Sequence, residues 1–449
     1  MKAGPPSSRT ATQPPLQGLF GALFGGFLGL ALLKFGNPPI MEKWVSPPGN
    51  ALEFFLGSPW PISWAYGGLG LLVLVGVLAG HWRLDYWTPV LFLPLVWLGW
   101  QIAASTRTID SQLSHPTVIH FLACCACFYL GRFCLGRKEA GFGLLMGLTI
   151  GFLLALATGF EQRFGGLDQT RQYFFTYIYP QLDEVPPDYL KKMSSDRIFS
   201  TLFYPNAFAG AILLLTPPVL GFISSARRRL TLGARIFLVG AVGAPAVACL
   251  YWSGSKGGWL LLLALAFVAL LRVRFDRRIK VLLVGCVLVA GLGAFGLKYV
   301  TFFRKGATSV VARFDYWTAA VRTAVANPLL GTGPGTFAKP YQALKKPESE
   351  MARLVHNDYL EQASDSGWVG FAAYTAFIVA ALVYGYPRVT GWLPFSIWLG
   401  VLGWALQSLI EFGLYLPALA WPAFTFLGLL LAPPQAPEAS NSHRQSTSR

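Results

Sequence analysis

Charge is what this chain has least of. Only 12% of its 449 residues are Asp, Glu, Lys or Arg, against roughly a quarter in a soluble domain. Over half are hydrophobic and mean hydropathy is +0.49, which excludes an ordinary soluble enzyme and reads as an all-α integral membrane protein. Histidine is scarce at five and cysteine at six. The cysteines (124, 125, 127, 134, 249 and 286) fall inside or beside apolar runs with no paired metal spacing, so they read as small buried hydrophobes. A disulfide framework and a zinc site are both disfavoured. Acids are fewer than bases, giving a net charge of +16. The surplus sits in short clusters between apolar runs, such as "ARRRLTLGAR" (226–235) and "RVRFDRRIK" (272–280). That is the pattern of cytoplasmic loops rather than of a nucleic-acid surface.

Long apolar runs are abundant. A spanning helix needs roughly 20 mostly apolar residues, and twelve candidates meet or approach that: 16–35, 60–80, 87–104, 117–135, 141–160, 205–224, 235–252, 258–271, 281–297, 366–386, 391–410 and 417–432. With the N-terminus inside, the short inner loops carry fourteen basic residues: Arg83; Arg132, Arg137 and Lys138; Arg227, Arg228, Arg229 and Arg235; Arg272, Arg274, Arg277, Arg278 and Lys280; and Arg388. The short outer loops carry Lys43, Arg107 and Lys256. This asymmetry puts both termini in the cytoplasm. The first run lacks a small-x-small cleavage site and reads as a retained helix. Its Gly21, Gly25 and Gly29 recur at the spacing that lets helices approach closely. Residues 1–15 and 433–449, rich in Pro, Ser and Gln, read as disordered tails around a membrane domain at 16–432.

Two outer segments, 161–204 and 298–365, are long enough to expect function. "RFDYWTAAVRTAVAN" (313–327) places Phe314, Trp317, Val321 and Ala324 on one stripe, an amphipathic helix over the membrane face or a cavity. "LLGTGPGTF" follows. No strand precedes it, so it reads as a glycine-rich turn rather than a phosphate loop.

Four histidines are weak candidates for chemistry: His81 in an inner loop, His115 at a helix entry, His120 within an apolar run and His443 in the tail. His356, in "HNDYLEQASDSGWVG" (356–370), alone stands on the outer side in a polar patch. As an isolated residue it would cap the tenth helix, but Asp365 and Ser366 offer better caps. The outer edges of the helices also carry Arg197, Lys256 and Arg313. Singly each reads as a snorkelling residue. Together with His356 they describe a site for a phosphate-bearing amphiphile: Arg for bidentate contacts, Lys as a point charge, imidazole as proton acceptor. A transition metal is disfavoured, since His356 and Asp358 are two apart and no second histidine accompanies them. A divalent ion on Glu161, Asp196, Asp358 or Glu361 stays open.

The stretches "RIFSTLFYPNAFAG", "SGSKGGWL", "RFDYWTAAVRTAVANPLLGTGPGTF" and "HNDYLEQASDSGWVG", in that order, resemble the O-antigen ligase and polymerase family of bacterial membrane glycosyltransferases, over roughly residues 140–430. The resemblance implies a GT-C-like membrane fold of about twelve spans in the bacterial inner membrane, with a large periplasmic loop. It implies transfer of a glycan from a polyprenyl diphosphate carrier to an acceptor hydroxyl, such as a sugar of the lipid A core, with no cofactor and no nucleic acid partner. Carried over by motif, His356 would be general base or orient the acceptor, and Arg313 would bind the diphosphate. Lys256 stands where the family usually has Arg. Arg197 and Asn206 would lie near the donor, and Asn357, Asp358 and Glu361 would support. Polysaccharide polymerisation, protein O-glycosylation and transport of a lipid-linked glycan or a small anion such as bicarbonate remain alternatives.

Overall fold

A computed structural model describes residues 14–55, 59–80, 88–136, 138–173, 175–176, 195–304, 308–347 and 349–433. Most of both expected tails, His81, Arg83, Arg137, His443 and much of the 161–204 segment lie outside the described residues.

All described regular structure is helical. The helices are α1 (Pro14–Lys34), α2 (Ala51–Phe55), α3 (Ile62–Ala79), α4 (Leu93–Ser105), α5 (Ser111–Cys134), α6 (Lys138–Glu161), α7 (Leu167–Tyr173), α8 (Pro205–Ser225), α9 (Leu232–Ser253), α10 (Lys256–Arg272), α11 (Arg277–Arg304), α12 (Thr308–Ala326), α13 (Ala338–Leu344), α14 (Asp358–Gly385), α15 (Trp392–Gln407) and α16 (Pro417–Leu430). Each of the twelve apolar runs overlaps one of these helices. Among the described residues, seven helices are long and apolar enough to cross a membrane, and three shorter apolar ones lie at 62–78, 89–105 and 417–430. The described residues thus form an all-helical, multi-pass membrane protein.

The short α16 is an internal axis. Trp421, Phe424 and Leu427 on it are fully buried. Its 14 residues rise only about 21 Å, less than a bilayer core of about 30 Å. It packs against α5, while α8 pairs with α15 and α9, and α11 lies outermost against α10. α11 turns Val281, Leu282, Val289 and Leu297 outward, as a lipid-facing helix should.

The glycine repeat of α1 meets a second one on α6. A Cβ on Gly25 would stand 2.6 Å from Gly143 and Leu144 backbone atoms, and one on Gly147 2.2 Å from Gly25. No side chain fits between these backbones, so the contact is dispersion at close range. Gly147→Val is expected to cost about 1–3 kcal/mol, read as a lower melting temperature of the detergent-purified protein. An unchanged melting temperature would show that the helices can separate without penalty.

Four expectations need correction. α11 runs to Arg304, so the long segment expected at 298–365 begins later. Asp365 and Ser366 do not cap the tenth helix. α14 starts at Asp358, where Asn357 Oδ1 accepts the Leu360 N–H at 3.0 Å. The helix instead breaks at Ser366 (φ −133°, ψ 17°) and Gly367 (φ 71°, ψ −177°), a conformation that glycine tolerates. The glycine-rich turn after α12 fills this break. Thr332 N–H donates to Ser364 O at 3.1 Å, Gly333 N–H to Asp365 O at 2.8 Å, Gly335 N–H to Asp365 Oδ2 at 2.6 Å, and Trp368 N–H to Pro328 O at 2.8 Å. Backbone groups freed inside an apolar bundle must find such partners.

The inner face of α12 matches the expected stripe only in part, at Ala324 and the half-buried Trp317. Phe314 and Val321 point outward, whereas Tyr316, Ala319, Ala320, Thr323 and Ala324 are buried where α12 packs against α13 and α14. The small residues win because they allow the closest approach. Lastly, five cysteines are buried as expected, but Cys286 is exposed.

Candidate active site

Several chain segments meet at one end of the bundle. α9 stops at Gly254, whose left-handed backbone turns the chain sharply. Ser255 Oγ then caps α10 by accepting the Gly258 N–H at 3.2 Å. This turn leaves the Ser253 carbonyl free to accept Arg197 Nε–H at 2.7 Å and sets Lys256 one step further on. Arg197 precedes α8, in a loop that Gln162 clamps by accepting the Phe199 and Ser200 N–H groups at 3.0 and 2.7 Å. Arg197 Nη2 donates to Asn206 Oδ1 at 2.7 Å. Asn206 is fixed in turn by Gln407, which donates to its carbonyl at 2.7 Å.

Sequence reasoning missed the residue on which these groups converge. Glu411 lies between α15 and α16 and is buried. Its Oε1 accepts from Asn206 Nδ2 at 2.5 Å and from Arg313 Nη2, and its Oε2 faces His356 Nδ1 at 3.1 Å. Arg313 is anchored further through Ile410 O at 3.1 Å and Ser309 O at 3.0 Å. The available signal was isolation: Glu411 is the only acid between residues 366 and 437. A buried carboxylate in so apolar a stretch needs partners.

The charge state of Glu411 follows from its neighbours. Burial alone would raise its carboxyl, but the Arg313 charge and His356 hold it below the usual carboxylate range. It is therefore an anion at neutral pH and can only accept. His356 Nδ1–H must therefore be the donor of this pair, and in the neutral form of the ring the lone pair is on Nε2. Nε2 has no hydrogen-bond partner among the described residues. The ring is held between Tyr316, near-parallel at 5.8 Å, and Phe412, edge-on at 4.8 Å, with its side chain 28% exposed. His356 also sits at φ 56°, left-handed backbone that a non-glycine residue adopts at a cost of about 1–3 kcal/mol. Trp317 and Glu361 hold it there: Trp317 Nε1–H donates to His356 O at 3.4 Å, and Glu361 Oε2 accepts the Val355 N–H at 3.0 Å.

The supporting residues expected from sequence divide into two groups. Asn206 belongs to the Glu411 network. Asn357, Asp358 and Glu361 turn away from His356 and hold backbone. Asp358 Oδ2 accepts Leu414 N–H, and its own N–H donates to Ser408 O, each at 2.8 Å. It thereby pins both flanks of the segment carrying Glu411. The four carboxylates considered for a divalent ion are not gathered: Asp196 pairs with Arg171 at 2.8 Å, and Asp358 and Glu361 accept backbone N–H groups. Among the described residues no group of three or more His, Cys, Asp or Glu could hold a metal.

Lys256 does not bond Glu411. Its ammonium lies over the Phe302 ring at 3.8 Å and Tyr299 at 5.2 Å, within electrostatic reach of Arg197 and Arg313. Lys298, which sequence reasoning did not single out, joins the same group by donating to Tyr251 O and interacting with the charges of Arg197 and Lys256. Burial pulls the Arg197 guanidinium down from its ordinary value, opposed by Glu411. Arg313 directly and Arg197 through Asn206 thus engage the one carboxylate, with Lys256 and Lys298 beside the two arginines, so among these described groups the excess is positive.

Residues 241–375 match the family model described as O-antigen ligase. That segment is similar to the O-antigen ligase family. The match covers under a third of the 449 residues. It includes Lys256, Lys298, Arg313 and His356, whereas Arg197, Asn206 and Glu411 flank it on either side. No curated protein matches the chain. The O-antigen ligase family is one of glycosyltransferase-like membrane enzymes that handle a lipid-linked glycan and an acceptor, and its segment here carries the imidazole and three of the four cations.

Proposed function

We propose that the protein moves a glycan from a polyprenyl diphosphate carrier to an acceptor hydroxyl, a lipid A core sugar in the ligase reading, at the periplasmic face of a bacterial inner membrane. It would do so within about twelve spans of GT-C-like arrangement, with both termini cytoplasmic. The observation that carries this reading is the His356–Glu411 pair inside an excess of cations. The acceptor O–H gives its proton to His356 Nε2 as its oxygen attacks the anomeric carbon. The bond from that carbon to the phosphate oxygen breaks, and the diphosphate leaves with the electron pair. Negative charge grows on the leaving group where Arg313, Arg197, Lys256 and Lys298 supply fixed positive charge, the arrangement that most favours a transition state. General-base help to a hydroxyl is worth about 10²–10⁴-fold.

The test is transfer by purified protein from undecaprenyl diphosphate-linked glycan, alongside polysaccharide attachment to lipid A core in a strain lacking the native gene. Arg313→Ala is expected to lower transfer about 10²–10³-fold, the scale for one removed charge-stabilising donor. Lys256→Arg is expected to stay active, because guanidinium keeps the charge and adds a bidentate contact. Normal attachment by stably inserted Arg313→Ala and His356→Ala proteins would remove the assignment. Chains lengthened without any acceptor lipid would favour a polymerase instead.

A further inference from the structure

The opposite end of the same helices holds a second basic site. α10 carries Lys256 at one end and Arg272 at the other, roughly 24 Å away at the usual helical rise. There the connections after α8, α10 and α14 converge on a cavity of about 1160 Å³, lined by Arg227, Arg235, Arg272 and Arg274 beside Phe395 and Trp398. No carboxylate lines it, and among the described residues none of the four arginines is in an ion pair. Two are held in place. Arg272 donates to Val389 O at 2.7 Å with its guanidinium over Phe395 at 4.9 Å. Arg235 donates to Ser224 O at 3.1 Å, while its Nε is buried without an acceptor. Arg227 and Arg274 are exposed at the mouth. Leu271 and Trp392, also lining the cavity, are 54% and 42% exposed.

Loop arginines that merely set topology need only be solvated, and solvated arginines repel one another into separate positions. Here four share one concavity, two of them locked, with apolar and aromatic surface beside them. We infer that this cavity binds the phosphate headgroup of an anionic phospholipid from the leaflet at that end of the bundle, its acyl chains lying against the apolar rim. Guanidinium groups match phosphate oxygens bidentately, and basic pockets between membrane helices suit such headgroups. A phosphate site that took the free ion would need no apolar rim.

The test uses the full-length protein in neutral detergent. Phosphatidylglycerol or phosphatidylcholine is titrated in and followed by native mass spectrometry and by tryptophan fluorescence, since Trp392 and Trp398 both line the cavity. Phosphatidylglycerol is expected to bind at least about tenfold more tightly than phosphatidylcholine and to weaken with salt. Arg227→Gln combined with Arg274→Gln, exposed positions whose loss should leave the melting temperature unchanged, is expected to erase that preference. Three results would overturn the inference: equal affinity for the two lipids, an unchanged preference in the folded double variant, or full displacement by millimolar inorganic phosphate. Binding is read without glycan transfer, so failure here leaves the ligase reading untouched.

Discussion

Glu411→Gln is expected to abolish most transfer, by about 10³-fold or more, while leaving the protein folded. The amide has nearly the shape of the carboxylate, yet one end can donate. With the NH₂ facing His356, Nδ1 is pushed to accept and the ring proton moves to Nε2, the atom that receives the acceptor's proton in the proposed reaction. Wrong-tautomer effects of this kind reach about 10⁴-fold. Glu411→Ala should be worse for stability, because it strands a guanidinium among buried partners at a cost of about 3–5 kcal/mol. The carboxyl also sets an acid limit. Its folded pKa lies below its unfolded value, so its contribution is present above ordinary carboxylate pH and disappears as pH falls through the lowered folded value. Wild type should therefore lose stability on the acid side where Glu411→Gln does not. Equal transfer rates for wild type and Glu411→Gln, measured with purified protein, would show that the dyad has no part in the reaction.

Removing the imidazole is the second large effect. His356→Ala is expected to lower transfer about 10²–10⁴-fold, with donor binding kept because the cations remain. Its backbone conformation supplies a control. At φ 56° Ala bears the left-handed strain without compensation, whereas Asn tolerates that region. His356→Asn should melt close to wild type and still be inactive. Activity in His356→Asn comparable to wild type would exclude proton transfer through this residue. A merely structural histidine would give the reverse pattern, with Ala impaired and Asn normal.

Much of this was legible before any coordinates. Apolar length located the helices because each must shield its own backbone in lipid, a demand that shows in composition. Arg197, Lys256, Arg313 and His356 stood out because charge is rare here and each sits beside an apolar run. What escaped depends on tertiary partners. Glu411 escaped, since nothing local announces that Asn206, some 200 residues earlier, and Arg313 will meet it. The break at Ser366–Gly367 was hidden because the residues that satisfy it belong to the turn near Gly333. The face of α12 was read correctly at Trp317 and Ala324 but not at Phe314 and Val321, where hydrophobicity misled and close packing chose Ala319, Ala320 and Thr323 instead.

Helices α8, α10 and α14 all begin at the Glu411 end, at Pro205, Lys256 and Asp358. Each start contributes peptide dipoles worth about half a positive charge. Part of the attraction for the anionic leaving group of the proposed reaction is thus written into the main chain, where no substitution can erase it. Neutralising any one side chain should weaken the hold on a diphosphate by degrees and never by all or nothing.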